Sequence, residues 1–384
     1  MLSVVNWSSL RPSDSLLLLI GSFHPVAVLY LAFQGLIPGG GGAPLVYDPG
    51  CDLWSAAPDV LASAIGTLSS PAQRSYEWDL STCHGHLCFL FPKGSSRMGR
   101  VDLDEESMVV EDGPHFREGA TVAETDGYIY MMGGENEEGT EASARVDRYS
   151  VRIEVWGRAA PLGLERTRAC SAVLGDGTIY VVGGRNSSGV LASVEKYRND
   201  LFSVEKEEKV SQDGSLVAQM FQKRERAKAV AYNGKVYVIG GQNDEGEVLK
   251  CGEVYTPKDD SWSAIEPMSC PRVGFKIAVV EDRLVVVGGR TKGGGILEKV
   301  EMFCFRSNSW VAEVAQLPDP RADFALLTVS SNAILSSTLA KLRCYEDAVV
   351  LRSQRMATPL MEHFSSKREN TVKAVEENEL DTIG

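Results

Sequence analysis

Five arginines recur along the chain at intervals of 46 to 58 residues, and their side chains could bind carboxylates. They are Arg117, Arg168, Arg226, Arg272 and Arg321. A guanidinium group is planar and always charged, and it can donate two parallel hydrogen bonds to one carboxylate. Gathered together, the five would form a positive spot on a chain whose formal net charge is −13. A second interpretation stays open, in which they bond to loop carbonyls or pair with acidic loops of the same chain.

A second group of residues with metal-binding chemistry lies between Cys83 and Cys88, where two cysteines and two histidines fall within six residues. Structural zinc needs four converging ligands, which usually come from two separated pairs. In a strand, alternation would send His86 and Cys88 to one face and Leu87 to the other. We therefore interpret the segment as a β-hairpin with His84 in its turn, and we expect no metal.

The titratable residues give little support to catalysis. No histidine occupies a repeat position that another histidine shares, and the sequence lacks a nucleophile elbow and a phosphate-binding loop. The histidines are His24, His84, His86, His115 and His363. We expect a protein without catalytic residues and without a cofactor. An enzyme is the less favoured alternative, because function belongs to sites rather than to folds.

The element that must position the arginines is a strand that occurs four times. It is clearest at residues 177–184, GTIYVVGG, and returns at 127–134, 234–241 and 282–289. In three copies an Asp-Gly or Asn-Gly pair precedes the strand, which is the strongest short signal of a β-hairpin. Each copy ends on two glycines, where a backbone without Cβ can take positive φ or approach a neighbour closely. The pairs are Gly133 and Gly134, Gly183 and Gly184, Gly240 and Gly241, and Gly288 and Gly289.

Aromatic residues follow the glycine pairs at nearly constant spacing. The first aromatic comes 13 to 15 residues after the second glycine, at Tyr149, Tyr197, Tyr255 and Phe303. In three copies a tryptophan lies seven residues further on, at Trp156, Trp262 and Trp310. Stacked sheets bury an aromatic at a fixed repeat position, so we expect the tryptophans to pack rather than to bind a ligand. The pattern predicts units of four short antiparallel strands that stack on one another.

These features resemble the kelch-repeat family, whose marks are the glycine pair, the tyrosine, the tryptophan and the Pro-Arg junction found at 271–272 and 320–321. The resemblance implies an all-β propeller built of four-stranded blades. We expect seven blades, with six as the alternative. We also expect the N-terminal strand to close the ring, because closure removes exposed sheet edges.

The domain boundaries follow from where the pattern is strong. The propeller is expected to occupy residues 1–352, and the remainder, 353–384, to be a helical or disordered tail because it is polar and shows no β alternation. Four clear blades are expected within about 113–320. Degenerate blades are expected at about 13–56, at 57–112, and at 321–352 combined with 1–10.

The N-terminal stretch has an alternative interpretation. Residues 1–36 resemble an F-box, the short helical module that docks substrate receptors onto ubiquitin ligases, through Leu10, Pro12 and Asp14. Gly21 would then stand inside a helix at a cost of about 1 kcal/mol, so we favour propeller strands there. The chain still resembles the kelch part of plant F-box/kelch-repeat proteins, which keeps ubiquitin-ligase components among the expected partners.

Composition restricts the partners and the compartment. A net charge of −13 and a pI near 5.0 argue against nucleic-acid and anionic-membrane binding, because phosphate binding draws its affinity from clustered Lys and Arg. Eight cysteines scattered among the strands of a chain this long are typical of reduced thiols. We therefore expect a cytoplasmic or nuclear protein.

These expectations combine into a module that binds another protein. Closure of the ring would bring the five arginines around one mouth of the central channel. In kelch domains of ligase adaptors, arginines near this position can contact acidic peptides, so the resemblance implies an acidic peptide segment as a ligand. Loops after the glycine pairs, acidic at 135–141 and basic at 290–295, would add recognition. The alternative function is substrate recognition within a cullin-type ubiquitin ligase.

Overall fold

The chain folds into short antiparallel strands, and the described part of the computed structural model contains no helix, hence none able to cross a membrane. All described residues belong to one compact unit, Met1–Ala333. The described residues are 27–32, 45–48, 53–56, 80–84, 87–91, 96–102, 105, 107–114, 116–136, 138–198, 215–280, 282–311 and 314–330.

Six four-stranded sheets contain most of the strands, and we number them from the N-terminus, giving the strands of each from inside to outside. Sheet 1 consists of β26 (Ala325–Ser330), β1 (Ala27–Ala32), β2 (Leu45–Asp48) and β3 (Leu53–Ala56). Sheet 2 consists of β4 (Leu80–His84), β5 (Leu87–Phe91), β6 (Arg97–Asp102) and β7 (Ser107–Asp112). Sheet 3 consists of β8 (Ala120–Thr125), β9 (Tyr128–Gly133), β10 (Val146–Ser150) and β11 (Val155–Arg158).

The remaining three sheets follow the same plan. Sheet 4 consists of β12 (Cys170–Val173), β13 (Ile179–Val182), β16 (Val194–Tyr197) and β17 (Ser215–Val217). A separate hairpin of β14 (Arg185–Asn186) and β15 (Gly189–Val190) interrupts it. Sheet 5 consists of β18 (Lys228–Tyr232), β19 (Lys235–Ile239), β20 (Gly252–Thr256) and β21 (Ser261–Ile265). Sheet 6 consists of β22 (Lys276–Val280), β23 (Arg283–Val287), β24 (Val300–Cys304) and β25 (Ser309–Val311).

Two-residue turns join the first and second strands of sheets 3 and 5. Asp126 and Gly127 have φ values of 54° and 74°, and Asn233 and Gly234 have φ values of 47° and 71°. Positive φ at both central residues is the mark of a type I′ turn, whose twist matches that of the flanking strands. Aspartate, asparagine and glycine tolerate this conformation better than other residues, which explains why these pairs stand at the turns.

The second strand of each clear repeat is buried on both faces, because a neighbouring sheet covers each side. Between sheets 4 and 5, Tyr180 and Val182 pack in one core cluster with Val236 and Val238. Full burial of such an aliphatic side chain stabilises the fold by about 1.5–3 kcal/mol. Burial on both faces also explains why these strands are apolar at consecutive positions instead of alternating.

The ring of sheets closes through strands from both ends of the described chain. β26 pairs antiparallel with β1, with Leu29 opposite Thr328. The inner strands β4, β8, β12, β18 and β22 contact one another in chain order, and β26 contacts both β22 and β4. The arrangement is therefore a closed β-propeller with the inner strands around its axis.

This closure differs from the expected one. We expected 321–352 to form a blade of its own, completed by an N-terminal strand. Instead, Ala325–Ser330 is the inner strand of the sheet whose other strands come from 27–56. The strand after Arg321 pairs with the otherwise open edge of β1, so two expected blades become one sheet. The described residues thus form six four-stranded sheets, one fewer than the seven expected. The expectations for 1–10 and for 353–384 concern residues that lie outside the described ranges.

Candidate functional site

The five predicted arginines occupy two different positions of the repeat, so the expectation of one shared register is wrong. The first, which we call the buried position, lies three residues before the inner-strand residue that is opposite the first glycine of the pair, as Arg117 lies three residues before Ala120. Arg321 has the corresponding place before β26. The members of the buried position are Arg117, Arg166, Arg224, Arg272 and Arg321, which are between 0% and 4% exposed. The second, which we call the mouth position, comes two residues later. Its members are Gly119, Arg168, Arg226, Gly274 and Asp323.

Four arginines at the buried position, Arg117, Arg166, Arg224 and Arg272, bind inside their own sheets. Arg224 donates to the carbonyl of Gly240 at 2.9 Å, to the carbonyl of Cys251 at 3.1 Å and to the carboxylate of Glu253 at 2.6 Å. Glu253 in turn accepts from the backbone amide of Phe221 at 2.7 Å. The pair therefore ties the loop that enters the sheet to the third strand of that sheet.

The same ion pair is repeated in neighbouring sheets. Arg166 donates to Glu195 at 2.5 Å, Arg117 donates to Asp147 at 2.5 Å, and Arg272 pairs with Glu301. Burial lowers the pKa of the Arg166 guanidinium, and the adjacent Glu195 carboxylate opposes that shift. Buried charges are tolerated only when they are paired and hydrogen-bonded, which is the arrangement here.

This geometry separates the predicted residues by accessibility. Arg117 and Arg272 are bound to acceptors inside sheets 3 and 6. Arg321 is 2% exposed, and burial lowers its pKa to about 10. Only Arg168 and Arg226 of the predicted five have partly or fully exposed side chains.

Sequence reasoning missed Arg166 and Arg224, although a signal for them was present. In four of the five buried positions, those of Arg117, Arg166, Arg224 and Arg272, the arginine precedes its carboxylate partner by 29 or 30 residues. Arg168 and Arg226 have no acidic residue at that distance, because they stand two residues later. Applying the Arg-to-acid spacing together with the glycine spacing would have separated the two positions.

The glycine pairs connect each sheet to the next. Gly183 has a φ of 61°, and a Cβ built on it would lie 2.3 Å from the carbonyl oxygen of Arg224. The amide of Gly184 donates to that same oxygen at 2.9 Å. The amide of Gly134 likewise donates to the carbonyl of Arg166 at 2.9 Å. Only glycine combines the positive φ with this close approach, which accounts for the pairs.

Backbone hydrogen bonds join the mouth positions of adjacent sheets. The amide of Arg168 donates to the carbonyl of Gly119 at 2.6 Å, and the amide of Arg226 donates to the carbonyl of Arg168 at 2.8 Å. Arg168 and Arg226 have φ values of 57° and 54°. Left-handed backbone costs a non-glycine residue about 1–2 kcal/mol, so two arginines are held here in an unfavourable conformation.

Carboxylates restrain one of the two mouth arginines. Arg168 lies 3.5 Å from Glu135 and 3.7 Å from Glu225, which is 1% exposed. Arg185 of the β14–β15 hairpin also contacts Glu225, at 3.1 Å. For Arg226, whose side chain is exposed, the described part of the chain provides no ion pair. Arg226 is therefore the arginine that a ligand could reach with least competition.

The mouth leads into a cavity of about 360 Å³ on the propeller axis, between the inner strands. Its wall is mainly polar, and the hydroxyls of Thr121 and Ser171 lie 2.8 Å apart on adjacent inner strands. The charged residues of the wall are Arg117, Glu118, Arg168, Arg226, Lys228, Lys276, Arg290 and Asp323. Arg290 of sheet 6 pairs with Asp323 at the entry to the neighbouring strand β26. The cavity is therefore a polar site with an excess of positive charge.

The repeated aromatic residues lie between sheets and away from this cavity. Trp262 is 7% exposed, packs with Tyr255 at 5.2 Å between ring centroids, and donates to the carbonyl of Ala218 at 2.7 Å. Trp310 packs against Phe303 and donates to the carbonyl of Glu266 at 2.9 Å. Tyr149, Tyr197, Tyr255 and Phe303 are each at most 2% exposed.

The hairpin predicted from Cys83 to Cys88 is formed by β4 and β5, in which Cys83 lies opposite Cys88 on the neighbouring strand. His84, which we expected in the turn, is instead the last residue of β4 and lies opposite Leu87. The Nδ1 atom of His84 lies 2.8 Å from Glu124 of sheet 3, and Cys88 is fully buried. Within the ranges that the structure describes, no group of three or more His, Cys, Asp or Glu side chains could hold a metal ion.

Comparison with known proteins supports the fold. The structure of YjhT superposes with a TM-score of 0.53 at 16% sequence identity, covering 64% of this chain and 86% of that one. Kelch-like protein 34 of Homo sapiens is 27% identical over 176 residues, which are 42% of this chain and 26% of that protein. An F-box/kelch-repeat protein of Arabidopsis thaliana is 31% identical over 129 residues, which are 33% of this chain and 28% of that protein.

These relatives are thus matched over little more than a quarter of their own length. The match to a protein family is broader. The model of the KLHDC2/KLHL20/DRC7 Kelch-repeats domain aligns with residues 119–337, which is more than half of the 384 residues. That range contains the four glycine pairs, the buried ion pairs of Arg166, Arg224 and Arg272, and the inner strands from β8 to β26. The chain therefore belongs to the kelch-repeat family.

Proposed function

We propose that this propeller is a non-catalytic module that binds a protein partner across the mouth of its channel. Kelch propellers are typically interaction modules, and the loops around this mouth vary strongly in charge. The single observation that carries the proposal is the placement of Arg168 and Arg226. Both are kept at the mouth in a left-handed conformation that glycine would adopt at lower cost.

The expected ligand is an acidic peptide segment of the partner. Arg226 is exposed and can donate two hydrogen bonds to a carboxylate. Arg168 would have to exchange Glu135 for the ligand, which favours ligands with several negative charges. Arg117, Arg272 and Arg321 support the mouth from within the sheets and are not proposed as contacts.

Affinity purification with mass spectrometry tests the proposal. We expect a set of proteins captured by the wild type to be lost when Arg168→Ala and Arg226→Ala are combined. The matched control combines Arg152→Ala and Arg306→Ala, which lie on exposed turns at the opposite ends of the strands. Capture that is unchanged by the mouth substitutions, in a protein that remains folded, would contradict the proposal.

A second candidate function is substrate recognition within a cullin-type ubiquitin ligase. The observation that favours it is the similarity to an F-box/kelch-repeat protein and to a kelch repeat and BTB domain-containing protein. The test is co-purification of a cullin or a Skp-type adaptor and its dependence on residues 1–36. Absence of both from the purified assemblies would reject this candidate.

We further propose six blades for the ring, since six inner strands contact one another in a closed order. A cytoplasmic or nuclear location is also proposed, because Cys170, Cys251, Cys270 and Cys304 form no disulfide. Imaging of a fluorescently tagged full-length chain tests the location.

A further inference from the structure

The connection from the outer strand β17 to the inner strand β18 presents one aromatic side chain to solvent. We call residues 220–226 of this connection the entry segment. Phe221 is 74% exposed, the highest value among the exposed large apolar side chains of the described residues. Its chain neighbour Met220 is 3% exposed and packs in the core cluster between sheets 4 and 5. The Phe221 ring therefore forgoes the stabilisation that burial inside the fold would bring.

Hydrogen bonds hold the backbone of the entry segment in place, although the Phe221 ring lies in solvent. The amide of Phe221 donates to the carboxylate of Glu253 at 2.7 Å, and the amide of Gln222 donates to the same carboxylate at 3.2 Å. The amides of Met220 and Arg224 donate to carbonyls between β15 and β16 at 3.0 and 3.1 Å. Because the backbone is already ordered, the ring can enter a binding partner with little further loss of conformational entropy.

The fold does not require an aromatic residue at this place in the repeat. In sheet 4 the corresponding residue is Gly163, whose amide donates to Glu195 at 2.7 Å. In sheet 6 it is Ser269, whose amide donates to Glu301 at 2.9 Å. Both sheets thus keep the bond from the amide to the carboxylate with a small side chain or none. The ring of Phe221 takes no part in this bond, so the packing of the repeat does not account for it.

Two cations share the solvent-facing side of the entry segment with the ring. The side chain of Lys223 is 57% exposed, and Arg226 is exposed at the mouth of the channel. Lys223 lies 3.7 Å from Asp244, which Arg185 also contacts at 3.6 Å, so one carboxylate serves two cations. Asp244 belongs to the acidic loop 242–247, which confines the positive charge to the segment itself. The exposed part of the entry segment therefore combines an aromatic ring with positive charge.

We propose that Phe221 is the apolar anchor of the partner interface, and that it inserts into an apolar pocket of the partner whose bordering carboxylates face Lys223 and Arg226. This inference rests on the proposed function, because it extends the same interface from the mouth toward the rim of the propeller. Five residues span at most about 18 Å, so one partner surface of ordinary size can cover both Phe221 and Arg226. Aromatic residues and arginines contribute most of the binding energy at protein interfaces, and the entry segment presents both.

Photo-crosslinking would identify what the Phe221 ring contacts. The full chain with Phe221→p-benzoylphenylalanine would be irradiated in cells, and the crosslinked peptides would be sequenced by mass spectrometry. We expect crosslinks to proteins whose capture depends on Arg168 and Arg226, at apolar pocket residues with Asp or Glu beside them. The matched control places the same amino acid at Ile153, which is 67% exposed on a turn at the opposite ends of the strands. The control should give no crosslinks to those proteins.

Substitutions would then measure how much the ring contributes, by biolayer interferometry with the purified crosslinked partner. Phe221→Ser should weaken binding at least about tenfold, because the anchor is lost. Its thermal unfolding should not change, because Ser269 fills the same place in sheet 6. Phe221→Leu should retain most of the affinity, and Ile153→Ser should retain all of it. Raising NaCl from about 0.1 M to about 0.5 M should reduce the effect of Arg226→Ala but not that of Phe221→Ser, since salt screens charges.

The inference would be overturned if position 221 gave no crosslinks, if its crosslinks reached only polar surface of the partner, or if Phe221→Ser bound as tightly as the wild type. If combined Arg168→Ala and Arg226→Ala abolish capture while Phe221→Ser leaves it unchanged, the proposed function stands and this inference alone fails. Capture that depends on Phe221 but not on the arginines would reject the mouth as the binding site, and with it the interface proposed here. Capture of no protein at all would reject both.

Discussion

The amide of Gly184 donates a 2.9 Å hydrogen bond to the carbonyl of Arg224, so the second repeat glycine of one sheet holds the buried arginine of the next. The side chain of Arg224 then reaches back to Gly240 and Glu253 in its own sheet. Each sheet is thereby connected through one residue to its neighbour and to its own third strand. The glycine pair, the buried arginine and its carboxylate partner recur in the sequence because each takes part in this junction between sheets.

Substitution of the first glycine tests how tight the junction is. In Gly183→Ala the new Cβ would lie 2.3 Å from the Arg224 carbonyl at a φ of 61°, so both a clash and left-handed strain arise. We expect the free energy of unfolding to fall by about 2–5 kcal/mol in chemical denaturation. Gly234→Ala is the control, because Gly234 has a similar φ of 71° and no atom within 4 Å. Equal losses in the two variants would show that the contact is unimportant.

Removal of a buried arginine should destabilise the fold rather than binding alone. In Arg224→Met, Glu253 would remain 3% exposed without its cation, and we expect a loss of about 3–5 kcal/mol in the free energy of unfolding. The double variant with Glu253→Gln should be more stable than the single variant, because no uncompensated charge remains. A loss below about 1 kcal/mol in Arg224→Met would contradict a structural role for the pair.

The neighbouring mouth residue should behave in the opposite way. Arg226→Gly relieves left-handed strain at a φ of 54°, and we expect the protein to become about 0.5–1 kcal/mol more stable. The same change should weaken partner capture, because the exposed guanidinium is lost. Thermal unfolding and pull-down on the same sample measure both effects. Lower stability together with full binding would refute the assignment of Arg226 to function.

High pH should expose the role of the buried tyrosines. Burial raises the pKa of Tyr197 well above its usual value, and its hydroxyl donates to the carbonyl of Ala160 at 2.9 Å. The neutral phenol is therefore favoured in the folded state. The corresponding stability is complete below the unfolded pKa of about 10 and is lost as the pH rises through the folded pKa. We expect the free energy of unfolding to decline above about pH 10, and less steeply in Tyr197→Phe. The same slope in both proteins would exclude Tyr197 as a cause.

Much of the fold was predictable because the turns and close backbone contacts of each repeat depend on residues that are near one another in the sequence. Asn233 and Gly234 indicate a type I′ turn, and the glycine pairs indicate close backbone contact, without any knowledge of distant residues. The number of sheets was harder to predict. The pairing of β26 with β1 joins residues about 300 positions apart, and neither strand carries a glycine pair or tryptophan that would show its partner.

The site was predictable in composition but less so in register. Arg166 and Arg168 stand two residues apart on the same strand entry, and so do Arg224 and Arg226. Because the distance from the arginine to the glycine pair varies along the chain, a sequence pattern fits either arginine of each pair. Only the side-chain acceptors, Glu195 for Arg166 and Glu253 for Arg224, distinguish the internal arginine from the accessible one.

The sheet that combines β26 with β1 also has a consequence for biosynthesis. Its three outer strands leave the ribosome before residue 57, whereas its inner strand ends at Ser330. These N-terminal strands must wait for most of translation before their last neighbour exists, and until then the edge of β1 is open to pairing with other strands. Premature termination before Ala325 would release a chain whose first sheet can never be completed.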